Sequence, residues 1–251
     1  MNKSYVRSKD ELAKISRSGD ILGKALKAAE ARAKLGTNLV QLDHFIAKEI
    51  ARLGGKPSFK GFKGYPAASC LSVNQAIVHG LPKDYQLSSG DVLGIDIGVE
   101  YRGWFSDGAT TVAIGTVDER NQELIAAAKE ALIKAIGLVR PGIKVGKISA
   151  AIETVAKQHK LGIIKALSGH GIGRAVHEPP QIPNWGKAYQ GPILKQGEVL
   201  AIEPMFSTGS GEVKLASDRW TVECVDGMGS HEEATVLVTK TGAKVLTPLF
   251  P

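Results

Sequence analysis

Only two cysteines, Cys70 and Cys224, occur in the 251 residues, and no CxxC pair exists. A disulfide framework and a thiolate zinc site are therefore both excluded. No apolar stretch near the N-terminus could serve as a signal h-region, and no later run approaches membrane-spanning length, so a cytoplasmic protein without a membrane partner is the default. Low-complexity and linker-like segments are absent, and a G-x-S-x-G nucleophile elbow or a Cys-His arrangement at a strand-to-helix turn is not found. Serine and cysteine nucleophiles lose their usual signatures.

What remains is an ordinary globular composition, with 43% hydrophobic and 23% charged residues, which argues against disorder and fibrous classes. The length suits one large domain, residues 1–251, or two halves sharing an interface, roughly 1–115 and 116–251. A net charge of +7 would suit a polyanionic partner such as nucleic acid or a ribosomal surface. Yet Lys14, Lys24, Lys27 and Lys34 are spread singly along helical stretches, where a solvated polar face accounts for them.

The periodicity repeats. Ser8-Lys-Asp-Glu11 has the form of a capping box, and Leu12, Ile15, Leu22, Leu26 and Ala29 follow at helical spacing, predicting a helix to about Lys34. Thr37 is the expected cap of a second helix through Leu42, Ile46 and Ile50 that stops at Gly54-Gly55. A matching pair is predicted from Asn121 to about Leu138 and from Val145 to about Lys160. Strand-like segments follow each pair, so two α+β units would build a curved antiparallel sheet backed by two pairs of helices, with a cleft where they meet.

Two aspartates open the chemistry. Val92-Leu-Gly-Ile-Asp96 and Gly108-Ala-Thr-Thr-Val-Ala-Ile114 read as strands, and Tyr101-Arg-Gly103 between them as a tight turn. A turn centred on Tyr101 and Arg102 would set Asp96 directly opposite Asp107, unless Gly103 seats a bulge that shifts the pairing. Like charges so close are destabilising until a shared proton or a cation neutralises them. Glu203 lies within the apolar run Val199-Leu-Ala-Ile-Glu203 and also needs a compensating partner. With His170 and Glu233 the set becomes four carboxylates and one imidazole, an oxygen-rich group suited to two divalent ions such as manganese, iron, cobalt or zinc. Gly169-His-Gly-Ile-Gly173 is not a dinucleotide loop, because Glu178-Pro-Pro-Gln-Ile-Pro183 follows where a helix would be needed. His44 and His159 read as structural, the latter at a helix C-terminus.

Five ordered blocks carry a resemblance: Ser72-Val-Asn-Gln-Ala-Ile-Val-His-Gly-Leu-Pro82, Gly94-Ile-Asp96 with Asp107-Gly-Ala-Thr-Thr111, Gly169-His-Gly-Ile-Gly-Arg174 with His177-Glu-Pro-Pro180, Ile202-Glu-Pro-Met205, and Glu233-Ala-Thr-Val236. Over essentially its full length the chain resembles type 1 methionine aminopeptidases, members of the pita-bread hydrolases with two metal ions. The resemblance implies the pita-bread fold, with Asp96 on one metal, His170 and Glu203 on the other, and Asp107 and Glu233 bridging them. The ions would be cobalt, manganese, iron, zinc or nickel.

It further implies removal of the initiator methionine from nascent polypeptides by a cytoplasmic monomer, with ribosome contact through the basic surface. Glu203 would be the general base, His177 would stabilise the tetrahedral oxyanion, and His79 would orient the peptide or assist proton movement. The methionine pocket would include Phe59, Phe62, Tyr65, Cys70 and Trp220, whose aromatic edges suit a thioether.

The chain departs from the pattern at two places. Many relatives have phenylalanine where Val176 stands, which would leave the substrate pocket larger. Relatives commonly have an amide, an aromatic residue and then, beyond the last glutamate, a histidine; here those positions are His231, Glu232 and Ala234. Strand alternation would turn Glu232 and Glu233 to opposite sides, with Glu233 as the ligand. Two other readings use the same residues: an enzyme acting at proline, whose known forms carry an additional N-terminal domain, and a non-catalytic RNA or protein binder, which would be expected to lose metal ligands.

Overall fold

Ser8 caps the first helix, α1 (Lys9–Arg32), as its sequence predicts: its hydroxyl accepts from the Glu11 amide at 3.3 Å while the Glu11 carboxylate accepts from the Ser8 amide at 2.8 Å. This is the reciprocal capping box that satisfies two of the free donors at a helix start. The structure, a computed structural model, describes residues 5–247.

The helix ends at Arg32, two residues short of expectation, because Thr37 acts there instead of capping the next one. Its hydroxyl donates to the Arg32 carbonyl at 2.9 Å and accepts from the Lys34 amide at 3.2 Å. The cap of α2 (Leu39–Arg52) is Asn38, whose side-chain oxygen accepts from the Val40 and Gln41 amides. A similar correction applies to α3 (Glu119–Leu138), which starts two residues early because Asp118 takes the Asn121 amide at 2.7 Å. Helix α4 (Val145–Gln158) ends just before His159, whose ring sits 3.1 Å from both Glu123 and Glu130.

Each helix pair packs on its own strands. Ile21, Leu22 and Leu26 of α1 and Leu42, Ile46 and Ile50 of α2 are buried against Leu93, Ile95, Ile97 and Val99. Leu124, Ala128 and Leu132 of α3 and Ile148, Ile152 and Val155 of α4 are buried with Leu200, Ile202, Val236 and Val238. Truncating one of these aliphatic side chains to alanine costs about 2–5 kcal/mol, because the close-packed layer leaves a cavity.

All strand pairing among the described residues is antiparallel. The first helix pair backs four strands, Lys56–Pro57, Ser69–Val73, Val92–Tyr101 and Trp104–Ala113, and the second backs five, Ser168–Gly171, Glu178–Pro183, Val199–Ile202, Ala234–Val238 and Ala243–Val245. The two sets meet at a bridge in which Ala109 and Glu233 exchange backbone hydrogen bonds at 2.9 and 3.3 Å. The expected curved sheet is thus divided, and the seam between its parts is where the site residues gather. Two short three-stranded sheets complete the described strands.

The central hairpin corrects the expected register. Tyr101 pairs with Trp104, so the turn is the two-residue loop Arg102-Gly103, with φ of 52° and 79° at its two positions. Both residues occupy the left-handed region, the geometry of a hairpin loop that follows the twist of its strands. Asp96 therefore faces Ala109, and Asp107 faces Gly98. The offset is two residues, so both aspartates remain on one face as diagonal neighbours. No helix of the described residues is long and apolar enough to cross a membrane.

Candidate active site

Asp96 and Asp107 enter one cavity from the central hairpin, which α2 helps to anchor. Asp43 on that helix accepts hydrogen bonds from the Ala68 and Ser69 amides and the Ser69 hydroxyl, fixing the strand beside Asp96. Cys70 on that strand pairs directly with Asp96. Gly98, opposite Asp107, is required by close approach: any side chain there would meet Ser58 and the Phe59 ring.

The other half supplies the rest. Glu203 leaves the end of an apolar strand, and Glu233 projects from the seam. Glu232 turns away, accepting from the Thr111 amide at 2.9 Å and from the Thr110 hydroxyl at 3.3 Å. Threonines stitch the halves: Thr235 Oγ1 accepts from the Asp107 amide and donates to its carbonyl, and Thr111 Oγ1 does the same for His231.

The cavity has a volume of about 200 Å³ and is lined by Asp96, Asp107, His170, Glu203 and Glu233, together with His79, His177, Phe59, Phe62, Tyr65, Cys70 and Trp220. Among the described residues, Asp107, His170 and Glu233 bring one donor atom each within 4.8 Å of one another. His170 Nε2 lies 3.5 Å from Glu203 Oε1, and its Nδ1 is 2.9 Å from the Gly171 carbonyl. That carbonyl holds the proton on Nδ1 and leaves the Nε2 lone pair facing the acids.

The aromatic wall meets the histidines at the mouth. Phe62 lies 5.7 Å from the His177 ring, and Tyr65 meets Trp220 edge to face at 5.3 Å. The Tyr65 hydroxyl donates to the Ser69 and Gly80 carbonyls, tying this wall to the strand under the acids. His79 has φ of 56°, a left-handed conformation uncommon for histidine, which a close-packed Gly80 follows.

Val176, expected on the substrate wall, is buried at 3% exposure and does not line the cavity. Val176 and His177 lie in the bend before the strand Glu178–Pro183, where His177 reaches the cavity and Val176 packs inward. Lining residues outside the expected set are Lys63, Val78, Leu167, Ser168 and His231. Lys63, Val78 and Ser168 stand within two residues of Phe62, His79 and His170, a proximity that could have flagged them.

Burial dominates the electrostatics. It pushes the carboxyls of Asp96, Asp107, Glu203 and Glu233 above their ordinary range, and mutual repulsion adds to this for Asp96, Asp107 and Glu233. His170 is pushed down to about 3 by burial and then by the neighbouring His177. His79 and His177 are lowered by burial as well, since the walls strip water from rings that keep one open edge; Lys63 also lowers both. Glu232 is raised to about 8 by burial.

Several buried donor and acceptor atoms have no protein partner: Asp96 Oδ1, Glu233 Oε1 and His231 Nε2. Orphaned oxygens among four crowded acids, with a neutral imidazole facing them, are what divalent cations satisfy. The donor set fits.

A family model described as metallopeptidase family M24 matches residues 13–240. The chain belongs to this family. It is 36% identical over 247 residues to a methionine aminopeptidase of Helicobacter pylori, covering 96% of this chain and 98% of that protein. The methionine aminopeptidase of Thermotoga maritima superposes with a TM-score of 0.95 at 37% identity, covering 96% of this chain and 98% of that one. A prolidase from Pyrococcus furiosus gives a TM-score of 0.80 at 26% identity, and this chain spans 65% of its length. The architecture is the pita-bread fold common to these enzymes, and the chain is a metallopeptidase.

Proposed function

We propose that this metallopeptidase removes N-terminal methionine from peptides and newly made proteins, acting as a cytoplasmic monomer. The observation that carries the reading is the convergence, in one cavity, of Asp96, Asp107, His170, Glu203 and Glu233 with His79, His177 and an aromatic wall. Those five residues would hold two divalent cations, which supply a water that is nucleophilic near neutral pH and polarise the scissile carbonyl.

The side chains do the rest. Glu203, whose burial raises the proton affinity of its carboxylate, takes the proton of the attacking water in its ionised form and passes it to the leaving amine. His177, at the cavity mouth, donates to the oxygen that becomes negative as the carbonyl turns tetrahedral. His79 faces the same space and orients the peptide at its amino end. Phe59, Phe62, Tyr65, Cys70 and Trp220 enclose the first side chain, an apolar and polarisable surface suited to a thioether. A free amine near the acids fits removal of one terminal residue rather than internal cleavage.

The test is metal-dependent release of methionine from a Met-Gly-Met peptide, with Glu203→Ala as the control. Turnover that needs divalent metal and disappears in the variant supports the reading. Tight RNA binding with no metal-dependent turnover would overturn it.

A further inference from the structure

His231 stands where the resemblance leads one to expect an amide, and the surroundings of its ring are those of a ligand. The residue is 3% exposed, and its Nε2 is buried without a hydrogen-bond partner, facing the cavity of the acids. Nε2 lies 3.5 Å from Glu203 Oε2 and 3.8 Å from Glu233 Oε2. Both separations are too long for a hydrogen bond. They approach the separation of two donors sharing one cation, since ligand atoms about 2.0–2.2 Å from a metal lie about 3.0–3.5 Å from each other.

Glu203 is flanked on both sides. Its Oε1 is 3.5 Å from His170 Nε2 and its Oε2 is 3.5 Å from His231 Nε2, so each carboxylate oxygen faces one imidazole nitrogen. The backbone holds this arrangement in place. His231 pairs with Met205, two residues beyond Glu203, and its amide and carbonyl both bond to the Thr111 hydroxyl, at 2.9 and 2.8 Å.

We propose that His231 Nε2 is a direct ligand of the metal centre, a second imidazole beside His170. The inference rests on the metal-dependent reading above. A centre with two nitrogens and four carboxylates favours cobalt or zinc over manganese more strongly than one with a single nitrogen.

The experiment uses the whole chain loaded with Co(II), read by proton NMR and by calorimetric titration of the metal. Wild type is expected to show two hyperfine-shifted, exchangeable imidazole N–H signals. One should vanish in His231→Gln and the other in His170→Gln. Calorimetry of His231→Gln should show Co(II) affinity falling at least ~10-fold at one of the two ions, with a smaller loss for Mn(II). Should His231→Gln fail to fold, the wild-type signal count decides alone. A single shifted imidazole in wild type, or unchanged Co(II) affinity in a folded His231→Gln, overturns the ligand and leaves the aminopeptidase reading standing. If wild type takes up no Co(II) at all, both fail together.

Discussion

Thr235 holds Asp107 by both of its backbone polar groups: its hydroxyl accepts from the Asp107 amide at 2.9 Å and donates to the Asp107 carbonyl at 2.7 Å. One side chain from the second half thus fixes the backbone of an acid from the first. Thr235→Val keeps the shape and removes both bonds, leaving a buried donor and acceptor unpaired, at a cost of about 1–3 kcal/mol for each group. Denaturant unfolding should show that loss, and metal titration should show weaker binding. Thr235→Ser should restore most of both.

Metal removal should be visible in stability. Four buried carboxyls resist ionisation together, so chelation is expected to lower the melting temperature at neutral pH, and added metal to raise it with concentration. Asp107→Asn removes one of these charges while its side-chain oxygen can still accept from the Gly108 amide. The metal-free variant should be more stable than metal-free wild type by on the order of 1–3 kcal/mol, and so melt higher, and gain less from metal. A metal-free Asp107→Asn that melts lower than wild type would show that repulsion among the acids is not what the cations relieve.

Glu232 predicts a pH dependence of its own. Burial lets the folded carboxyl keep its proton to about pH 8, while the unfolded one releases it near 4.5. Folding therefore binds a proton across that window. The contribution is fully present below pH 4.5 and is lost as pH rises toward 8. Glu232→Gln, neutral throughout, should flatten the decline in unfolding free energy between those values. Equal slopes in variant and wild type would refute it.

Arg7 and Glu178 form a buried ion pair, and the same carboxylate accepts from the Arg174 and Ala175 amides, shaping the loop that presents His177. Arg7→Met leaves Glu178 without its partner, and breaking a buried pair in this way costs about 3–5 kcal/mol. Because the pair acts through the loop, kcat should fall about 10-fold or more while bound metal stays unchanged. Lost metal in a folded Arg7→Met would place the pair's effect on the acids instead.

The helices were legible because their signals are local: a capping box at Ser8-Glu11 and apolar residues recurring at helical spacing. Their boundaries slipped where two candidate caps stood side by side, as with Thr37 and Asn38, and only the bonds actually made distinguish them. The hairpin register slipped for a different reason. Arg102 adopts a positive φ that its residue type does not announce, and the loop is fixed by the twist of the strands on either side. Even so, an offset of two residues keeps Asp96 and Asp107 on a common face, so the two carboxylates crowd each other in either register. His231 is visible in the sequence as a departure, but its distances to Glu203 and Glu233 follow from the pairing of distant strands. Local pattern does not encode such pairing.

The bridge between Ala109 and Glu233 also has a consequence in time. Carboxylates from near residue 100 can meet their counterparts only after the strand containing Glu233 has been made and has closed a loop of more than a hundred residues. Such long-range pairing is slow to form, and during synthesis the two aspartates are made well before Glu233. On the proposed function, a partly translated chain cannot complete the acid cluster, and so cannot act on its own first residue, until Glu233 has been made.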